Sequence, residues 1–306
     1  MARFLVIGNC QTDSVANCLR VLHPKGYVEG HNLWNLQVDF QNEDRLLTHL
    51  RTFDFVILQE FGGDNLGVLD SNVLRAASAN ALTIPGVVFS AFHPDIVYAQ
   101  PKDPAVYGHR CVRSAIGEYQ SALVVYGFLQ GLGVEKTLAL FRPDVYESVG
   151  YLTMWDESQT FLLNAFKTYG WKADEYFLQW ARSGVFMYTN NHPKIAVFAD
   201  IARMILKRCE LTFEAHPFEK FLIDPLRNGP IWPVYPAVAG AYGLTGSMHF
   251  KRVEIGQGAQ LFLNLDEFVA QSYAELQKVG ANNVDCSRPQ EWIKNAAGES
   301  PRAFSI

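Results

Sequence analysis

The sequence predicts an α/β protein, with a parallel sheet in its N-terminal part and a largely helical C-terminal part. Three observations predict it. Short β-branched or apolar runs at residues 4–7, 53–59 and 83–90 read as buried strands. Segments with helical spacing separate them, the alternation that pairs strands in parallel through crossovers. After about residue 112, strand-like runs give way to helical periodicity rich in aromatic residues.

The first strand runs straight into Gly8-Asn9-Cys10-Gln11. Thr12 or Asp13 is placed to cap a helix with Val15, Leu19 and Leu22 on one face. A strand-like segment at 26–29 precedes a polar, aromatic stretch at 31–40, and 43–50 has helical spacing. The strand at 53–59 ends in Gln59-Glu60 and the loop Gly62-Gly63-Asp64-Asn65. Residues 72–80 read as helix. The third strand runs into Ala91-Phe92-His93-Pro94-Asp95. Ligands of such sheets bind beyond the carboxyl ends of the strands. The turn at Cys10, the segment from Gln59 and the segment from His93 to Asp95 are therefore expected to be neighbours in space.

In the second part, 114–132 reads as one long helix and 134–141 as another, stopped by Pro143. Helices at 153–169 and 174–187 follow, and Phe161, Phe166, Tyr176, Phe177 and Trp180 recur in them at helical spacing and are expected in the core. Pro193 suits the first turn of a helix over 194–209, with Asn190 or Asn191 as its cap and His192 at its entrance. A short helix is expected at 213–224, a proline-rich loop at 228–236, and a further loop at 240–246. Residues 250–263 suit an edge hairpin or irregular structure. The helix at 265–279 opens on Asp266 and Glu267 and stops at Gly280. The last twenty residues are polar and weakly specified. No Gly/Ser-rich linker interrupts the chain, so the boundary is soft: an α/β part over 1–112 and a helical part over 113–306 packed on it as one continuous domain.

Composition narrows the function classes. The 306 residues are 49% hydrophobic and 19% charged, enough for a full core. The net charge of −5, without a basic block, argues against a nucleic-acid partner. No apolar run reaches the roughly 18 residues of a membrane span, and the N-terminus does not read as a signal peptide. Five scattered cysteines lack zinc or disulfide spacing and suit reduced thiols in the cytoplasm. No metal-ligand motif, dinucleotide fingerprint, Walker loop or Gly-x-Ser-x-Gly elbow is present.

Strand, tight turn and helix N-terminus converge on Cys10. There a helix dipole lowers a thiol pKa and backbone N–H groups hold an anion, although the same position suits a buried structural cysteine. Gly8 allows the turn. Asn9 and Gln11 carry amides able to stabilise an oxyanion, and Gln59 and Asn191 complete the polar set. His192 is a candidate base, and His93, with Asp95 near it, is the rival. Arg110 and Arg113, with His109, form a small basic cluster suited to a phosphate or to solvent, and Lys194 is a further candidate. Trp and Tyr residues within 231–242 are placed either to stack on a sugar or to pack a loop. The other histidines (23, 31, 49, 216 and 249) show no patterned partners.

Taken together, Gly8-Asn9-Cys10-Gln11, Phe92-His93-Pro94-Asp95, the stretch from His109 to Ser114 and Asn191-His192-Pro193 resemble the WcbI-type capsular polysaccharide biosynthesis proteins over roughly residues 3–210. The resemblance implies an SGNH/flavodoxin-like sandwich and an SGNH-like site that binds coenzyme A. It implies transfer of an acetyl group from acetyl-CoA to a sugar of a bacterial capsular polysaccharide or its precursor, with other capsule-synthesis enzymes as possible partners. Cys10 stands where the SGNH serine stands and His192 where the late histidine stands. Three positions before that histidine the SGNH pattern has Asp, and this chain has Thr189. Any third member comes from elsewhere, Asp95 and Glu60 being candidates. An SGNH-like Cys/His esterase or thioesterase and a non-catalytic CoA- or glycan-binding accessory protein are the alternative readings.

Overall fold

The apolar run RFLVIG forms the buried strand β1 (Arg3–Gly8) of the computed structural model, which describes residues 1–40, 42–60, 70–214, 218–253 and 260–298. The chain leaves β1 through α1 (Thr12–Leu22) and returns as β2 (Tyr27–Asn32). It then passes through α2 (Leu36–Phe40) and α3 (Glu43–Leu50) to β3 (Phe55–Gln59), and through α4 (Ser71–Ala76) to β4 (Ala81–Ile84). The strands pair in the order β2-β1-β3-β4, all parallel, with Phe4 opposite both Val28 and Phe55. This is the flavodoxin-like order, whose direction of winding reverses between β1 and β3.

The folded backbone divides into two compact units, each assembled from several segments of the chain. The first comprises Met1–Val88, Thr160–Met187 and Asn191–Arg227. The second comprises Phe89–Gln159, Tyr188–Asn190 and the described residues from Asn228 onward.

In the first unit, alternate residues of the sheet bury opposite faces. Leu5, Ile7, Val56 and Leu58 pack with Leu36, Leu46, Leu50 and Leu74 into one core. Burying each such side chain stabilises the fold by about 1.5–3 kcal/mol. Helix α1 buries Val15, Leu19 and Leu22 and packs against the helix Ile195–Arg208. The expected cap of α1 at Thr12 or Asp13 is not found. Gln11 holds the cap position without a side-chain bond, and Thr12 Oγ1 donates to the Asn9 carbonyl at 2.8 Å. The third strand is shorter than expected: β4 stops at Ile84 because Pro85 has no N–H for the ladder.

In the second unit the expected helix over 114–132 reduces to Ala122–Leu129, capped by Ser121. Pro143 does not stop a helix but opens one, Pro143–Ser148, and Pro236 opens Pro236–Ala241 inside the expected loop. A proline at the first helical position loses no hydrogen bond, since that N–H has no intrahelical partner. Trp232 and Tyr235 are core residues, 1% exposed each, so they pack the loop rather than offer a sugar platform. Residues 250–251 and 262–263 form the expected hairpin. Leu265–Val279 has a full capping box between Asn264 and Glu267. The polar tail contains the helix Ser287–Gly298, which the sequence reading did not resolve. Among the described residues no helix is long and apolar enough to cross a membrane. The loop Gly62-Gly63-Asp64-Asn65 and His216 lie outside the described residues.

Candidate functional site

The site of the first unit is built at the ends of β1 and β3, where the winding reverses. Gly8 closes β1. A Cβ there would lie 2.6 Å from Gln59 Cβ, so only glycine lets the two strand ends approach. The Gln59 side chain reaches across that gap. Its Oε1 accepts the Asn9 N–H at 2.9 Å, and its Nε2 donates to Gln11 Oε1 at 2.8 Å.

Gln11 is the hub of the turn. Its Nε2 donates to the carbonyls of Val87 (3.0 Å) and Asn191 (2.7 Å), and its Oε1 also accepts the Val87 N–H at 3.1 Å. Both glutamines are 2% exposed. A buried amide with all these partners satisfied is rigid, because every alternative position leaves a polar group unpaired. Asn9 turns its Oδ1 onto the Gln11 N–H at 2.9 Å and leaves its Nδ2 on the side of Gly86.

Cys10 rides on this braced turn, one residue before the cap position of α1. Its Sγ lies 3.3 Å from His192 Nε2 and 3.9 Å from Asn9 Oδ1. His192 belongs to the two-residue strand His192–Pro193 ahead of the helix Ile195–Arg208. Neither Asn190 nor Asn191 caps that helix as expected. Asp224 Oδ2 accepts the Ile195 N–H at 2.8 Å instead. Burial holds the His192 imidazole at a pKa of about 4, so the ring is neutral at pH 7.

The first unit therefore brings together Gly8, Asn9, Cys10, Gln11, Gln59, Asn191 and His192. Lys194 belongs to the same unit and is half-buried, and burial lowers its pKa against the opposing pull of Asp224. Glu60, a candidate third member, accepts a hydrogen bond from Tyr169. Its rival Asp95 belongs to the second unit and is fully buried. There Asp95 accepts the Leu123 N–H (3.1 Å) and the hydroxyls of Tyr151 (2.7 Å) and Tyr235 (2.6 Å). Burial raises its carboxyl above the ordinary range against the pull of those hydrogen bonds. It is the centre of a core network. Thr189, in the same unit, donates to Tyr119 Oη at 3.3 Å.

His93 is buried in the second unit, next to Phe92. Arg113 lines a cavity of about 1070 Å³ in that unit, together with His109, Arg252, Lys278, Tyr107 and the Ser114–Gly117 turn. Arg110 is exposed beside Cys111 and is absent from the lining. Arg252 and Lys278 were missed by sequence reasoning, because they come from distant elements with no local motif.

Strand order and the Cys10–His192 pair define an α/β protein with a thiol–imidazole site at its topological switch point. The family model for the polysaccharide biosynthesis enzyme WcbI matches residues 3–214, and the chain belongs to that family. The fold also matches a solved structure of WcbI, the native protein without a disulfide bond between coenzyme A and one of its cysteines. The TM-score is 0.68 at 16% identity, over 99% of this chain and 96% of that one. No curated protein matches the chain.

Proposed function

We propose that this chain is an acyltransferase of polysaccharide biosynthesis that moves an acetyl group from acetyl-CoA to a hydroxyl of a capsular sugar or its precursor. The observation that carries this reading is the 3.3 Å approach of Cys10 Sγ to His192 Nε2 on a turn held by Gln11 and Gln59. The neutral imidazole takes the thiol proton as Sγ attacks the thioester carbonyl. The bond from that carbonyl to the CoA sulfur breaks, and the CoA thiolate leaves with the proton from Nε2. The sugar hydroxyl then attacks acetyl-Cys10, gives its proton to Nε2, and releases Cys10 to be reprotonated. Asn9 Nδ2 and the positive end of α1 serve the oxyanion, one such donor being worth about 3 kcal/mol.

Two further observations support the donor. The solved WcbI structure is that of the native protein without a disulfide bond between coenzyme A and one of its cysteines, and coenzyme A is the carrier of the proposed donor. In the second unit, Arg113, Arg252 and Lys278 line a cavity and are candidate phosphate partners, although Asp103 and Glu275 share the lining and Glu275 pairs with Lys278 at 2.6 Å. Acetyl-CoA is a cytoplasmic metabolite, which fits the reduced cysteines.

The test is intact-mass spectrometry after mixing with acetyl-CoA, alongside a thermal-shift comparison of CoA with simple esters. An acetyl adduct that disappears in Cys10→Ser is the expected result. No adduct, together with an active Cys10→Ser variant, replaces the covalent route with direct attack by the sugar hydroxyl. CoA release at one rate with and without sugar points to a thioesterase instead.

A further inference from the structure

A second cluster of ligand-type side chains lies in the first unit, on the edge strand of the sheet. Glu29 and His31 are two apart on β2 and so share a face. His49 reaches them from α3. His31 Nε2 and His49 Nε2 each lie 2.7 Å from the same atom, Glu29 Oε1. The three ligand atoms all lie within 4.8 Å of one another. Tetrahedral ligands at about 2.0–2.1 Å from a zinc ion stand about 3.3 Å apart, so a small opening of the two short contacts admits the ion.

Two of the outer atoms are already held. His31 Nδ1 is 2.8 Å from Asp39 Oδ2, the carboxylate–histidine contact that orients metal-bound imidazoles. Tyr27 Oη donates to Glu29 Oε2 at 3.1 Å, which leaves Oε1 as the inward oxygen. Phe40 packs 5.0 Å from both imidazole rings, and Phe53 lies 5.0 Å from His49. Such outer contacts orient the ligands and strengthen ligation. A simple ion pair needs none of these outer contacts. Two imidazoles aimed through the same nitrogen at one oxygen, each backed by apolar rings, make a three-ligand pocket with one position left for water.

We propose that Glu29, His31 and His49 bind a zinc-type divalent cation, with Asp39 and Tyr27 orienting the ligands. The ion takes the place of the Nε2 protons, which leave to solvent, and it ties the edge strand β2 to α3. The site is independent of Cys10. It escapes sequence motifs because its ligands come from a strand and from a helix 20 residues away.

The test uses the full chain, treated with chelator and dialysed against zinc in the Cys10→Ser background, so that the Cys10 thiol contributes nothing. One bound equivalent and a raised Tm are expected. His49→Gln and Glu29→Gln, each checked for folding by circular dichroism, should lose that equivalent. Asp39→Asn should weaken binding about tenfold. Cobalt in place of zinc should give the visible bands of a tetrahedral site without thiolate charge transfer. Binding that survives both ligand variants, or no stoichiometric binding in the folded parent, overturns the proposal. Unchanged affinity in Asp39→Asn removes Asp39 from it.

Discussion

Cys10 Sγ and His192 Nε2 meet at 3.3 Å although 182 residues separate them in the chain. The meeting depends on one amide. Gln11 Nε2 holds the carbonyl of Asn191, the residue next to His192, while the Gln11 backbone adjoins Cys10. Thiol and imidazole, the proposed nucleophile and base, are therefore positioned by a single buried side chain.

Replacing Gln11 with Leu keeps the volume and removes that link. The Val87 N–H, the carbonyls of Val87 and Asn191, and Gln59 Nε2 all lose a partner. Each unpaired buried group costs about 1–3 kcal/mol. We expect Gln11→Leu to destabilise the protein by about 3 kcal/mol or more, and to slow Cys10 acetylation beyond what stability alone explains. Urea unfolding and adduct formation, measured below the unfolding transition, check this. Wild-type adduct kinetics would remove Gln11 from the site.

Gly8→Ala tests the same turn from its other side. The added Cβ meets Gln59 Cβ at 2.6 Å, a contact that must be relieved by moving β1 or β3. Overpacking of this kind costs about 1–3 kcal/mol. Displacement of Gln59 also frees the Asn9 N–H. The expected outcome is a lower Tm together with a changed rate of Cys10 alkylation. A variant with parental Tm and alkylation rate contradicts the close approach.

Protonation of His192 sets the acid behaviour. Its pKa is about 4 in the folded protein, lowered by burial, and about 6.5 when unfolded. Above pH 6.5 the ring is neutral in both states. Between pH 6.5 and 4 the unfolded chain takes up a proton that the folded one refuses. That removes about 3 kcal/mol of stability in total over the window. His192→Gln should flatten this part of the stability profile. The acid limb of kcat/KM should lie near pH 4, and a limb near 6.5 in the folded enzyme would show an exposed imidazole instead.

Much of this site is local and hence legible in the sequence. Strand, glycine turn and cysteine follow one another within a few residues, and Gln59 ends an unmistakable strand. The partners of Gln11 are backbone groups of residues 87 and 191, which carry no side-chain signal. Helix boundaries failed at Pro143, read as a stop, and at Pro236, read as part of a loop. Pro143 and Pro236 instead begin helices, since the missing N–H costs nothing there. Asp95 looked like a catalytic helper because it follows a histidine at a strand end. Its carboxylate is instead buried among Tyr151, Tyr235 and Leu123, contacts set by tertiary packing. The Glu29–His31–His49 cluster was illegible for a similar reason, being assembled by pairing of a strand with a helix rather than by spacing.

Arg113 offers the sharpest test of donor binding. Arg113 lines the cavity of the second unit, and no ion pair to it is found among the described residues. A charge-assisted hydrogen bond to phosphate is worth about 1.5–3 kcal/mol, or roughly 10–100-fold in Kd. Arg113→Ala should weaken CoA by that factor and leave pantetheine, which has no phosphate, unaffected. The loss should shrink as salt rises, because screening already weakens the wild-type contact. Arg110→Ala, outside the cavity lining, should bind CoA like the parent. Calorimetry of the two variants with both ligands separates a phosphate contact from a general loss of positive charge. Equal weakening by Arg110→Ala and Arg113→Ala would assign the effect to the charge of the surface and not to the cavity.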